Sequence, residues 1–238
     1  MNFRALRVAF VGVAIVAIGV ASFSRLGRKR PPQNDQPVHP TLVWRAEQAS
    51  KEGKDHVYLN WPTIIDYALP RTLKEALAYY DVVVAEVVKK QSFVEDNHEY
   101  IQTWYQFKIL EYLHRKSITD CRTCPPALTP PAEMLPIDID QVLVPRSGGD
   151  LIINGITISS SDPGFKAFEM NRKYVLFLII DEPKGVGTIL AGPSGTYTLD
   201  SNNLLQPFSA KSNPLAEEIH MRFKNSLLGL TEYLRSQK

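Results

Sequence analysis

The chain holds two cysteines, in the arrangement Cys121-Arg122-Thr123-Cys124. A C-x-x-C pair has three chemical uses: a disulfide, a thiol redox couple, or half of a zinc site. A structural zinc site needs four ligands. Here His114 is the one histidine near in sequence, and no second C-x-x-C exists. A redox couple works best with its first cysteine at a helix N-terminus, where the thiolate is stabilised. Pro125 and Pro126 follow the pair instead, and no βαβ pattern surrounds it. Two cysteines in an exported chain read most simply as a disulfide. Cys121 and Cys124 are therefore expected to form one, with thiol–disulfide exchange as the alternative.

Other residues that could do chemistry are scattered. His39, His56, His98, His114 and His220 show no H-E-x-x-H spacing. Gly185-Val186-Gly187 lacks the rest of a dinucleotide fingerprint, and Gly192-Pro193-Ser194-Gly195 misses the nucleophile elbow by one position. Both read as turns. Glu95, Asp96, Asp138 and Asp140 offer oxygen ligands, but no complete calcium loop is present, so they read as solvated turns. Tyr100, Trp104, Tyr105 and Tyr112 make an aromatic strand of the kind that stacks bases or sugars. A net charge of +2 lacks the basic excess of a nucleic-acid domain. These aromatics read as core and rim. The expectation is no catalytic residue, no metal, no cofactor and no nucleic acid, with binding residues unassigned.

The length of 238 residues suits one domain of about 150 to 170 residues plus extensions. Residues 8–24 carry no charge, and Arg4 and Arg7 precede them. That is the pattern of an export signal. Arg25, Arg28, Lys29 and Arg30 follow at once, which disfavours cleavage and helps a retained anchor. Residues 1–26 are thus read as a signal-anchor in the membrane, with the domain facing the periplasm or cell exterior. The alternative is a cleaved signal and a secreted protein. Residues 27–56 form a Pro-rich polar spacer with a peripheral helix at 41–53, held by Trp44. Residues 57–238 are the folded domain.

Within that domain, Thr72 and Glu75 have capping-box spacing for a short helix at 73–80. The β-branched run 81–88 predicts a strand buried on both faces. Residues 103–113 alternate, with Tyr105, Phe107 and Ile109 on one side, which predicts a half-buried strand. The two runs form a long hairpin. Residues 116–138 are a Pro-rich insert that carries the cysteines, and prolines bar it from a ladder interior. Strands follow at 141–144, 151–158 (with Asn154-Gly155 as hairpin turn), 173–180, 188–191, 196–199 and 204–208. The most apolar of them, 173–180, is expected to be central. At the C-terminus Asn213 and Pro214 start a helix of about 20 residues with one apolar stripe, from Leu215 to Leu234.

This order resembles the small exported β-barrels of the OB-like, netrin-like type, whose best-known members are the tissue inhibitors of metalloproteinases. It is also similar to uncharacterised bacterial exported proteins. The residues that carry the resemblance are Asp81 to Val88, Tyr105 to Ile109, Gly148-Gly149 and Tyr174 to Leu178. It covers about residues 72–208 and implies a mainly β fold: an OB-like antiparallel barrel with flanking helices and a C-terminal amphipathic helix. The inhibitors act through a mature N-terminal cysteine, which is absent here, so inhibition is not implied. The functional expectation is a non-enzymatic binding or interaction module that presents the Cys loop and the 181–195 loop to a protein partner or a ligand. The alternatives are a thiol–disulfide protein or a structural envelope component.

Overall fold

The computed structural model describes residues 41–60, 70–94, 100–116, 128–162, 164–208 and 213–237. The expected signal-anchor, the proline cluster of the spacer, the 95–98 turn and the Cys121/Cys124 pair lie outside these residues. Among the described residues no helix is long and apolar enough to cross a membrane.

The described chain is mainly β, with a large sheet and four flanking α-helices. In order, the elements are α1 (Leu42–Lys51), β1 (His56–Asn60), α2 (Leu73–Tyr79), β2 (Asp81–Val94), β3 (Ile101–His114), β4 (Gln141–Ser147), β5 (Gly149–Ile153), β6 (Ile156–Ser161), β7 (Lys173–Asp181), β8 (Val186–Ile189), β9 (Thr196–Leu199), β10 (Leu205–Pro207), α3 (Pro214–Phe223) and α4 (Leu227–Ser236). The large sheet runs β10-β9-β7-β2-β3-β4-β8. β8 also pairs antiparallel with β7, from Leu178↔Ile189 to Asp181↔Val186, while it meets β4 in parallel at Leu143↔Val186. A second sheet has the order β1-β6-β5.

The apolar runs of β2 and β7 follow from burial on both faces. Val82 and Val84 of β2, with Val175 and Phe177 of β7, pack under α2, α3 and α4. Val83, Ala85 and Val87 point the other way, with Tyr174, Leu176, Leu178 and Ile180, into a second core. Aromatic rings fill that core. Phe168 meets Tyr105, Phe107 and Tyr174 edge-on at 5.0, 5.1 and 5.0 Å and stacks on Phe208 at 5.3 Å. Edge-to-face pairs of this kind are favoured by the ring quadrupoles. β7 pairs with β2, β8 and β9, as expected of a central strand.

The Thr72 hydroxyl caps α2 by accepting from Glu75 N–H at 3.1 Å, and the Glu75 carboxylate reaches back to Arg71 N–H at 2.9 Å. The β5–β6 hairpin turns at Asn154 and Gly155, both at positive φ, the signature of the Asn-Gly turn. Four expectations need correction. β2 runs on to Val94, because β3 offers a partner for its polar half as well. β8 begins at Val186 rather than 188, since Leu143 N–H binds Gly185 C=O and draws this stretch into the sheet. In α1 the buried side chains are Leu42, Ala46 and Ala49, while Trp44 is half-buried. The C-terminal stripe belongs to two helices of ten residues each, not one of twenty.

Candidate functional site

A groove of about 690 Å³ opens at one end of the large sheet. That size is typical of ligand clefts, roughly 300 to 1,000 Å³. Three separate stretches build it. The end of β3 supplies Ile109, Tyr112 and Arg115, the segment before β4 supplies residues 135–139, and the end of β7 with its following turn supplies Ile180 and residues 182–185. Each is placed by a specific contact. The Ile109 N–H donates to the Asp140 carbonyl at 2.7 Å and fastens the 135–140 segment to β3. Asp138 is held by Gln141, whose side-chain oxygen accepts from Asp138 N–H at 2.9 Å. Gly185 adopts φ +62°, and a Cβ on it would stand 1.9 Å from Ile137 Cδ1. The positive φ of the turn therefore favours glycine there, and a side chain would also have to displace the tip of Ile137.

The groove is apolar along Ile109, Ile137 and Ile180, and charges of both signs stand at its rim. The Arg115 guanidinium lies 3.4 Å from the Tyr112 ring centroid and 3.5 Å from the Glu182 carboxylate. Lys184 stands 3.9 Å from Asp181. Burial pushes the Tyr112 hydroxyl above the usual tyrosine range, the Arg115 charge opposes this, and Asp81 and Glu182 reinforce it. Tyr112 thus stays protonated at neutral pH and can donate a hydrogen bond. Behind the groove, buried Asp81 accepts from Lys116 N–H at 2.9 Å, and Lys116 Nζ donates to the Ile180 carbonyl at 3.3 Å. These bonds fix the end of β3 to the start of β2 and the end of β7. The arrangement can hold a ligand through apolar contact and hydrogen bonds.

Of the residues singled out from sequence, Asp138 and Tyr112 line this groove, and so does the 182–185 part of the loop at 181–195. Gly192 and Gly195 lie in a buried 3-10 turn instead. Asp140 faces Lys108 at 3.7 Å. Trp104 and Tyr105 are buried, as the packing reading had it, and Tyr100 is partly exposed. His114 bonds the Leu77 carbonyl at 2.9 Å. Cys121 and Cys124 lie outside the described residues, as do Glu95, Asp96, His39 and His98. Among the described residues no group of three or more His, Cys, Asp or Glu is placed to hold a metal ion.

Sequence reading missed two things. The first is Arg115 with Glu182, 67 residues apart, which no local pattern signals. The second is a hydrogen-bond chain across the small sheet. The Ser159 hydroxyl donates to Asp150, and His56 Nε2 stands 2.9 Å from Ser159 Oγ. Serine sits in the middle of this chain, and its proton goes to the carboxylate. A nucleophilic serine would instead give its proton to a histidine that the carboxylate orients. The chain therefore ties β1, β6 and β5 together rather than forming a triad.

Compared with known protein families, with curated proteins and with solved structures, the chain matches none.

Proposed function

We propose that this chain is a non-enzymatic binding module, held at the membrane by its N-terminal segment and displayed outside the cytoplasm, with the groove at the end of the large sheet as its binding site. The observation that carries the reading is the groove itself. It has a cleft's volume, an apolar floor, and polar groups of both signs at the rim. The targeting pattern of residues 1–30 supports the location. The domain is read as a small OB-like barrel of the netrin-like type. Its support is the pairing circuit β7-β2-β3-β4-β8, in which β8 bonds to both β4 and β7.

Photo-crosslinking in the native cell tests this. A photoreactive residue replaces the exposed Ile139 beside the groove, or Leu228 on the exposed side of α4 as control. A discrete adduct at 139 that is absent at 228 is the expected result. No adduct at 139, or the same adducts at both positions, overturns the reading.

A further inference from the structure

Resting on that groove as the binding site, we propose that its occupant is an extended polypeptide segment that lies along β3 as an added strand. The observation is a length mismatch between neighbouring strands. β3 spans 14 residues, but β4 pairs with it from Gln102 to Lys108. After the Ile109–Asp140 bond, no described strand pairs with residues 110–114 on that side, although β2 continues opposite them to Val82↔His114. Residues 110–114, roughly 17 Å of chain at ~3.4 Å per residue, therefore have no described strand partner on the side away from β2. Ile109, Tyr112 and Arg115, from and around this stretch, line one wall, and the 182–185 turn lines the other.

A strand edge is complementary to another peptide backbone, which alternates donors and acceptors at the same spacing. A sugar or an acyl chain does not offer that ladder. The rim charges agree with a peptide of small net charge. Arg115 lies near Glu182 and Lys184 near Asp181, so neither sign dominates. The apolar floor and the exposed Leu135 and Ile139 would take every second side chain. The register of β3 against β2 shifts twice near this end, around Val84/Ala85 and Val82/Val83, so the added strand has to follow a bulged edge, which favours a short, pliable peptide over a long rigid strand.

The test uses the full chain in lipid nanodiscs. The probe is an end-blocked heptapeptide pool, randomised over Val, Ile, Leu and Phe at even positions, with Thr at odd ones. Retained peptides are identified by mass spectrometry and resynthesised with N-methyl groups on either the even or the odd amides. A strand that bonds through one edge should lose at least tenfold in affinity with one methyl set and little with the other. Ile139→Glu should also cost at least tenfold, and Leu228→Glu nothing. If no peptide is retained, if both methyl sets are tolerated, or if Ile139→Glu binds normally, the peptide occupant is wrong. A crosslinked partner at 139 alongside any of those results would leave the binding module standing and remove only its peptide class. Loss of both would remove the module as well.

Discussion

Gly185 shows how much one residue decides at the groove. Its positive φ strains any residue with a Cβ, and that Cβ would displace the tip of the Ile137 side chain. Gly185→Ala should destabilise the fold by at least about 1 kcal/mol, the usual cost of a left-handed alanine. It should also push residues 135–139 away from the 182–185 turn. Denaturant midpoints check the first part, and crosslinking yield at 139 checks the second. Tyr197 makes a second residue-scale case. Its hydroxyl is buried and has no hydrogen-bond partner among the described residues. Burial raises its pKa well above the usual tyrosine value. The folded state thus favours the protonated phenol. The contribution to stability is fully present below the unfolded pKa, near 10, and falls away as pH rises beyond it. Tyr197→Phe should hold or raise stability at pH 7, because it removes an unsatisfied buried hydroxyl. It should also flatten the loss of stability between about pH 10 and 11. A steeper alkaline loss in the variant would contradict the assignment.

At the scale of elements, the break between α3 and α4 is the most informative feature. Lys224 and Asn225 both sit at positive φ, 52° and 62°. Asn225 C=O then accepts from Leu205 N–H at 2.7 Å, and Asn203 C=O accepts from Leu227 N–H at 3.2 Å. The interrupted helix therefore docks its own break onto the β9–β10 hairpin. Ser226 restarts the helix, and its hydroxyl accepts from Gly229 N–H at 3.2 Å. Leu215, Ile219, Leu230 and Leu234 then bury on the same core as α2. Lys224→Gly should stabilise by up to about 1 kcal/mol, since glycine carries no penalty in the left-handed region. Ser226→Ala should cost ~1 kcal/mol through the lost cap. Thermal unfolding of both variants measures these. Equal melting points for Ser226→Ala and the parent would mean that tertiary contacts, not the cap, set the start of α4.

At the scale of the whole molecule, the two largest buried clusters among the described residues lie on opposite faces of the large sheet. The helical side is aliphatic with Phe177 and Tyr197, and the opposite side is aromatic around Phe168. Phe168 lies on the segment between β6 and β7, outside any strand, yet it is fully buried and touches rings from β3 and β7 and from the stretch after β10. Phe168→Ala should cost about 3 to 5 kcal/mol, as large-to-small changes in a packed core do. Because β3 and β7 both rest on this ring, the loss should also lower protection from hydrogen exchange in both strands together. Loss confined to residues 165–170 would show instead that the ring packs locally and does not join the strands. The groove is likewise a product of the whole, since its walls come from three stretches that the chain separates by tens of residues.

The sequence by itself determined roughly where the strands of the large sheet lie, where α1, α2 and α3 start, and which residues have apolar surface to bury. Period-two alternation in 103–113, the β-branched run from Asp81, the Thr72 cap and the Asn154-Gly155 turn are local effects of sterics and hydrogen bonding, legible over a few residues. The C-terminal stripe was legible as apolar spacing, but not the break in it. That break depends on backbone partners near Asn203 and Leu205, some 20 residues away. Tertiary structure alone decided that β8 bonds to β4 as well as β7, that Arg115 meets Glu182, and that β3 outruns β4 beside an open groove. Those are differences in length and register between distant segments. No local propensity encodes them, because their energy appears only once the two cores have brought the segments together.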